Sequence, residues 1–243
     1  SGEVDAALTV TFTGENGTVV RNLTGAVLTQ NVSLNTAQLA SLDADGIGTI
    51  NVSVVQSDLA GNPQSAAAET LSFTLDRVAP ATPGLTLAGT DPISLSEAAN
   101  PVTVSGEADA TITVLFQGQN GNVTRTFTGT GANQSVSLNA AQITTLGDGL
   151  VLVSANQVDQ AGNPQPVANT SSFTLDTVAP IAPALLLGTG VTDAVSKAEA
   201  TRAAGVATVR GEANATITVQ LLGQTGATVT QTITGDGTAQ GIV

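Results

Sequence analysis

The chain has 243 residues, a net charge of −13, only six Lys and Arg, and no His, Cys, Trp, Tyr or Met. Without His or Cys it has no disulfides, no imidazole or thiolate metal ligands and none of the commonest general base. The few scattered cations offer no basic patch for nucleic acid or an anionic membrane, and no apolar run reaches membrane-spanning length. Thr, Val, Ala, Gly, Asn and Ser abound, a composition suited to pleated strands joined by tight turns.

Read from its start, the chain repeats itself. Ser1-Gly2-Glu3-Val4-Asp5-Ala6 returns as Ser105-Gly106-Glu107-Ala108-Asp109-Ala110 and again as Arg210-Gly211-Glu212-Ala213-Asn214-Ala215. Val32-Ser33-Leu34-Asn35 matches Val136-Ser137-Leu138-Asn139, and Asp58-Leu59-Ala60-Gly61-Asn62-Pro63 matches Asp159-Gln160-Ala161-Gly162-Asn163-Pro164. Phe73-Thr74-Leu75-Asp76-Arg77-Val78-Ala79-Pro80 recurs as Phe173-Thr174-Leu175-Asp176-Thr177-Val178-Ala179-Pro180. There an alternating strand ends on an acid, and prolines then block both helix and central strand, so each copy reads as a last strand running into a stiff linker. The repeats are therefore 1–76, without its first strand; 77–176, complete; and 177–243, without its last strands. The ends fall in mid-repeat, Ser1-Gly2-Glu3 carries no signal-peptide pattern, and the chain reads as a piece of a longer array.

The complete repeat predicts seven strands, at 83–95, 102–106, 111–117, 123–128, 134–138, 150–158 and 171–175. Apart from a short helical stretch at 140–146 there is no helical period, which indicates an all-β class of tandem immunoglobulin-like Greek-key sandwiches. Ile112, Val114 and Phe116 share one face of their strand, and the five phenylalanines are expected in the core. The third repeat stops within or just before its fifth strand. Its open edge is either poorly ordered or covered by a neighbouring chain or stretch.

Strand polarity gathers the acids. Antiparallel order puts the second–third and sixth–seventh loops at the pole facing the preceding repeat. Glu107 and Asp109 lie in the first of these loops, and Asp159 and Asn163 in the second. Asp76 arrives there from the preceding strand, while Asp43 and Asp45 approach from that repeat's fifth–sixth loop. Carboxylates crowded together raise one another's pKa values. An all-oxygen ligand set with no nitrogen or sulfur suits calcium, which takes ~6–8 oxygens. Asp176, Glu212, Asn214 and Asp148 repeat the set at the second linker, with Asn214 in place of an acid. Glu3, Asp5, Asp58 and Asn62 form the same pole of the first repeat. The plainer reading, strand-end caps that solubilise the poles, competes at every single position. Convergence of several loops and a linker favours calcium for the junction as a whole.

The Leu-Asp-x-Val-Ala-Pro linker, together with Asp-x-Ala-Gly-Asn and Gly-Glu-Ala-Asp/Asn-Ala, resembles the bacterial immunoglobulin-like repeats of giant nonfimbrial, biofilm-associated surface adhesins of Gram-negative bacteria. The resemblance covers essentially the whole chain. It implies an extracellular stalk, exported by type I secretion, in which each repeat's partners are its neighbours in the same chain. It also implies junction calcium, with Asp76 and Asp176 as linker ligands and Glu107, Asp109 and Asp159 as partners at the first junction.

Other chemistry is scarce. Asp43-Ala44-Asp45-Gly46 begins like an EF-hand loop, but its twelfth position is Val54 and no flanking helices are visible. Ser and Thr lack an activating base, since the chain has one lysine, Lys197, which reads as an exposed pair with Glu199. A structural spacer is the first functional reading, and an enzyme ranks below it. The alternative is a repeat that itself binds host glycan, ice or another adhesin, for which regularly spaced Thr at 9–13 and 111–113 would supply the surface.

Overall fold

Alternation of Thr with Val, Leu, Ile and Phe produces the strands of the computed structural model, which describes residues 2–192 and 194–242. The chain divides into two compact units, Ser1–Asp176 and Thr177–Val243.

The first unit begins with β1 (Ala7–Thr13), β2 (Thr18–Thr24), α1 (Thr36–Leu42), β3 (Ile47–Ser57) and β4 (Glu69–Asp76). It continues with β5 (Gly84–Leu87), β6 (Ile93–Ser94), β7 (Val102–Ser105), β8 (Thr111–Gln117), β9 (Asn122–Thr128), β10 (Asn133–Val136), α2 (Ala140–Leu146), β11 (Gly149–Val158) and β12 (Asn169–Asp176). Residues 77–176 form a two-layer sandwich. A sheet ordered β10-β7-β5 packs on a second ordered β6-β12-β11-β8-β9. The core between the layers includes Ile112, Val114 and Phe116, all fully buried as the alternation predicts, with Val102, Val104, Val151, Phe173 and Leu175.

The ragged first strand expected over 83–95 is two strands in different sheets. β5 pairs antiparallel with β7, and β6 pairs parallel with β12. Pro92, which has no N–H to give to a ladder, sits at the crossing, and the Asp91 carboxylate accepts the Thr174 N–H beside it. One segment thereby completes an edge of each layer.

Residues 1–76 differ more. The expectation of a repeat short of one strand gives way to a single four-stranded sheet, β2-β1-β3-β4. Among the described residues no strand stands for β5, β7 or β10. In 77–176, β10 is hydrogen-bonded to β7 alone. Without a β7 equivalent, Val32 to Leu34 has no ladder partner, although its two apolar side chains still lie against the sheet. Phe73, expected in the core, is consequently 40% exposed, whereas its equivalent Phe173 is 2% exposed.

The short helix recurs in both repeats for a local reason. Asn35 and Asn139 accept the Gln38 and Gln142 backbone N–H groups at 2.9 Å, and the Gln side chains return the bond to the Asn backbones. Leu42 and Leu146 anchor the helices in the core.

The second unit contains β13 (Ala184–Leu187), α3 (Lys197–Ala200), β14 (Ala207–Arg210), β15 (Thr216–Leu222), β16 (Thr228–Thr234) and β17 (Ala239–Ile242). Its sheets are β13-β14-β17 and β15-β16, around a small core of Val209, Ile217, Val219 and Ile242. β17 is the fifth strand, at whose threshold the sequence reading stopped. Glu199 does not serve Lys197 as the sequence suggested. It caps α3 by accepting the Ser196 N–H and hydroxyl at 2.9 and 2.6 Å.

Candidate functional site

The segment 76–83 between the two repeats of the first unit is fastened to both. On the side of residues 1–76, the Arg77 N–H donates to the Gly46 carbonyl at 2.7 Å and its guanidinium to the Asp43 carbonyl at 2.6 Å. On the side of residues 77–176, three amide side chains hold linker carbonyls. Asn163 Nδ2 donates to Asp76 O at 3.3 Å, Gln157 Nε2 to Ala81 O, and Asn169 Nδ2 to Pro83 O at 2.9 Å. Each bond gives a backbone carbonyl of the linker a side-chain donor.

Asp159 is held in a closed loop. Asn163 donates its backbone N–H to Asp159 Oδ1 and its side-chain amide to Oδ2, both at 2.8 Å, and Asp159 N–H returns to the Asn163 carbonyl. Asp58 and Asn62 form the same loop, at 2.8 and 2.7 Å. The Asp-x-Ala-Gly-Asn motif is thus a self-capping turn. Burial pushes the Asp159 carboxyl up, but the Asn163 side chain and the surrounding backbone amides outweigh it and leave the group below its ordinary range. In Asp58 the Asn62 side chain is the leading cause of the same downward shift. Through Asn163, Asp159 meets Asp76, whose Oδ1 lies 3.5 Å from Asn163 Nδ2 and also accepts the Val78 N–H at 3.0 Å.

The Asp43–Asp45 pair lies in a loop three residues longer than its counterpart at 147–149. Asp43 is fully buried; its Oδ1 accepts the Gly46 N–H at 3.1 Å, while Oδ2 finds no donor. The neighbouring Asp45 carboxyl is the leading cause that raises Asp43, followed by burial. The same neighbour is the leading cause that holds Asp45 down. A buried carboxylate with an unsatisfied oxygen beside a second carboxylate favours a retained proton or a bound cation. The donors are all oxygen, and they suit a hard cation.

Glu107 and Asp109 lie exposed on the loop between β7 and β8. An open cleft of about 360 Å³ runs between linker residues Ala81 and Thr82 and the Gly106–Glu107 backbone. Glu107 N–H donates to Gln157 Oε1 at 3.0 Å, so Gln157 ties this loop to the linker. Asp109 has a backbone φ of 64°, Asp5 62° and Asn214 68°. This left-handed position is one that Asp and Asn tolerate alike, which accounts for their exchange at Asn214. The loop is pressed flat against Gly129, where a Cβ would lie 2.1 Å from the Glu107 carbonyl. Among the described residues, no three acids approach closely enough to hold one metal ion between them.

Asp148 and Asp176 belong to the first unit and Glu212 and Asn214 to the second, all four exposed. Glu3 and Asp5 are exposed beside the β1 strand, with the Glu3 N–H donating to Gln56 Oε1 at 3.2 Å. The sequence singles out the acids together with Asn163 and gives no role to the other fastening side chains. Gln157, Asn169 and Arg77 do the fastening, and the recurrence of Gln56 and Gln64 as Gln157 and Gln165 was the available signal.

No protein-family model and no curated protein matches the sequence. Among solved structures the chain is similar to a tetra-tandem repeat from the extending region of a large adhesion protein, with 20% identity and a TM-score of 0.38. That match covers 96% of this chain and 57% of the other. It is similar to a 1.5-MDa bacterial ice-binding adhesin at 24% identity and TM-score 0.38, over 98% of this chain and 75% of that one. A third similar structure is a Ca2+-stabilized adhesin of an Antarctic bacterium that binds ice, at 24% identity and TM-score 0.34, over 99% of this chain and 58% of that one.

Proposed function

We propose that the chain is a spacer segment of an extracellular bacterial adhesin, made of three immunoglobulin-like repeats divided at residues 76 and 176, with no catalytic role. The observation that carries this reading is the linker 76–83, whose backbone is held from both sides by Arg77, Asn163, Gln157 and Asn169. A hinge would leave those carbonyls to water. Fastened in this way, consecutive repeats keep their separation, which is the property a stalk needs.

Calcium belongs to the same reading as a reinforcement. Asp43 and Asp45 are its first ligands at this junction, because a divalent ion would satisfy the Asp43 oxygen that has no donor and relieve the crowding of the pair. Asp76, Asp159, Glu107 and Asp109 are the further candidates. A cation bound only by the folded state stabilises it by mass action.

The test is thermal unfolding and small-angle scattering of the full chain in calcium and in EGTA. The expected result is a higher Tm and a larger maximum dimension with calcium, both lost in an Asp43→Asn, Asp45→Asn double variant. Indifference of Tm and dimension to calcium would remove the metal from the reading. A scattering profile of freely hinged repeats in both conditions would overturn the spacer itself.

A further inference from the structure

The two linkers differ in one charged pairing. Residues 43–47 carry Asp43 and Asp45 where the shorter loop 147–149 carries Asp148 alone, and Arg77 opens the first linker where Thr177 opens the second. An additional acid and an additional cation therefore occur together at the first linker.

The loop holds Asp43 in place from several directions. Its N–H donates to the Leu39 carbonyl at 3.2 Å, and the next N–H, of Ala44, donates to Asn16 Oδ1 at 2.8 Å. Gly48 forms the wall, since a Cβ at that position would collide with Asp43 Oδ2. From the linker, Arg77 folds back over the loop and donates to the Asp43 backbone carbonyl at 2.6 Å. Its Nε is buried without an acceptor, and Asp43 Oδ2 is buried without a donor. A cationic and an anionic side chain thus share one residue's surroundings, each with an unmatched atom shut off from solvent. Charges act on each other without contact where burial limits screening, and the Arg77 charge favours the ionised form of Asp43.

We propose that Arg77 is the fixed counter-ion of the Asp43–Asp45 pair and thereby sets how tightly the pair takes a divalent cation. A guanidinium keeps its charge at every physiological pH, and this one is anchored in the chain. The pair is partly neutralised before any metal arrives, so the linker stays fastened without one. An incoming divalent ion meets a like charge and a carbonyl already engaged. Arg77 is a positioning residue here and leaves the coordination to the carboxylates. Its control of the metal rests on the calcium reading above, whereas the counter-ion role stands without it.

Thermal unfolding of the full chain tests both roles. Arg77→Gln removes the charge and keeps an amide donor for the Asp43 carbonyl. In EGTA it should lower the Tm more in the unaltered chain than in an Asp43→Asn, Asp45→Asn background, a non-additive cycle. The calcium concentration that half-raises the Tm should fall about tenfold in Arg77→Gln, with one repelling charge gone. Arg77→Lys, which keeps the charge, should leave that concentration unchanged. Additive effects in EGTA would overturn the counter-ion. A calcium midpoint that Arg77→Gln does not move, in a chain that responds to calcium, would overturn its control of the metal. A non-additive cycle with no calcium response in any variant supports the counter-ion and removes the calcium reading instead.

Discussion

Asp159 illustrates how two plausible roles divide at a single residue. Its carboxylate accepts both the backbone and the side-chain N–H of Asn163, which is a structural task, and its position beside Asp76 depends on that same amide. The folded-state pKa values of Asp58 and Asp159 lie below the ordinary 3.8. These carboxylates therefore contribute stability that is present above that value and is lost as the pH falls through the lower folded value. Acid titration followed by circular dichroism should show that loss, and Asn163→Ala should diminish it. Asp43 has the opposite sign, because its raised pKa means that the folded state holds the proton more tightly. Its contribution weakens as the pH rises past 3.8. Gln157 tests the amide belt: it is 2% exposed and bonded to both Glu107 N–H and the Ala81 carbonyl. Gln157→Ala should lower stability by about 1–3 kcal/mol in urea unfolding, with the Glu107 N–H left unpaired. The acids were legible because carboxylates at strand ends recur in register. Gln157 and Asn169 were not, because an amide in a strand looks like an ordinary solvent-facing residue until the linker is folded over it.

Among the elements, β4 and β12 are nearly the same sequence in two environments. Phe173 is enclosed by both layers, so Phe173→Ala should cost about 3–5 kcal/mol. Phe73, 40% exposed, should cost well under half of that, and calorimetry of the two variants would check the contrast. The capped helices make a smaller claim. Asn139→Ala removes the box that starts α2 and should cost about 1 kcal/mol, seen as a lower Tm. Alternation fixes which side of a strand is apolar, and in 77–176 it located the core at Ile112, Val114 and Phe116. It carries no information on whether an opposing layer exists. The same pattern in 1–76 therefore reads as core while Leu71 and Phe73 lie open. The crossing of the first strand from one sheet to the other was hidden for a related reason. A proline in a loose strand marks an interruption, and only the two sheets show that it is a change of partner.

For the whole molecule, the repeat was plain in the sequence because three loop motifs and two linkers recur in order. The fold class followed from it, since short alternating segments between turns close most simply as sandwiches. The linker also bears on how the protein carries force. Pro80 and Pro83 hold the backbone extended, and a chain spans at most ~3.3–3.6 Å per residue. A pull along β4 and β5 would load this segment. Its carbonyls are bonded to Asn163, Gln157 and Asn169, so the first movement must shear side-chain bonds instead of straightening a coil. On the spacer reading, tension would reach the strand ladders only through these side-chain bonds, so the junction would resist extension before the sandwich does.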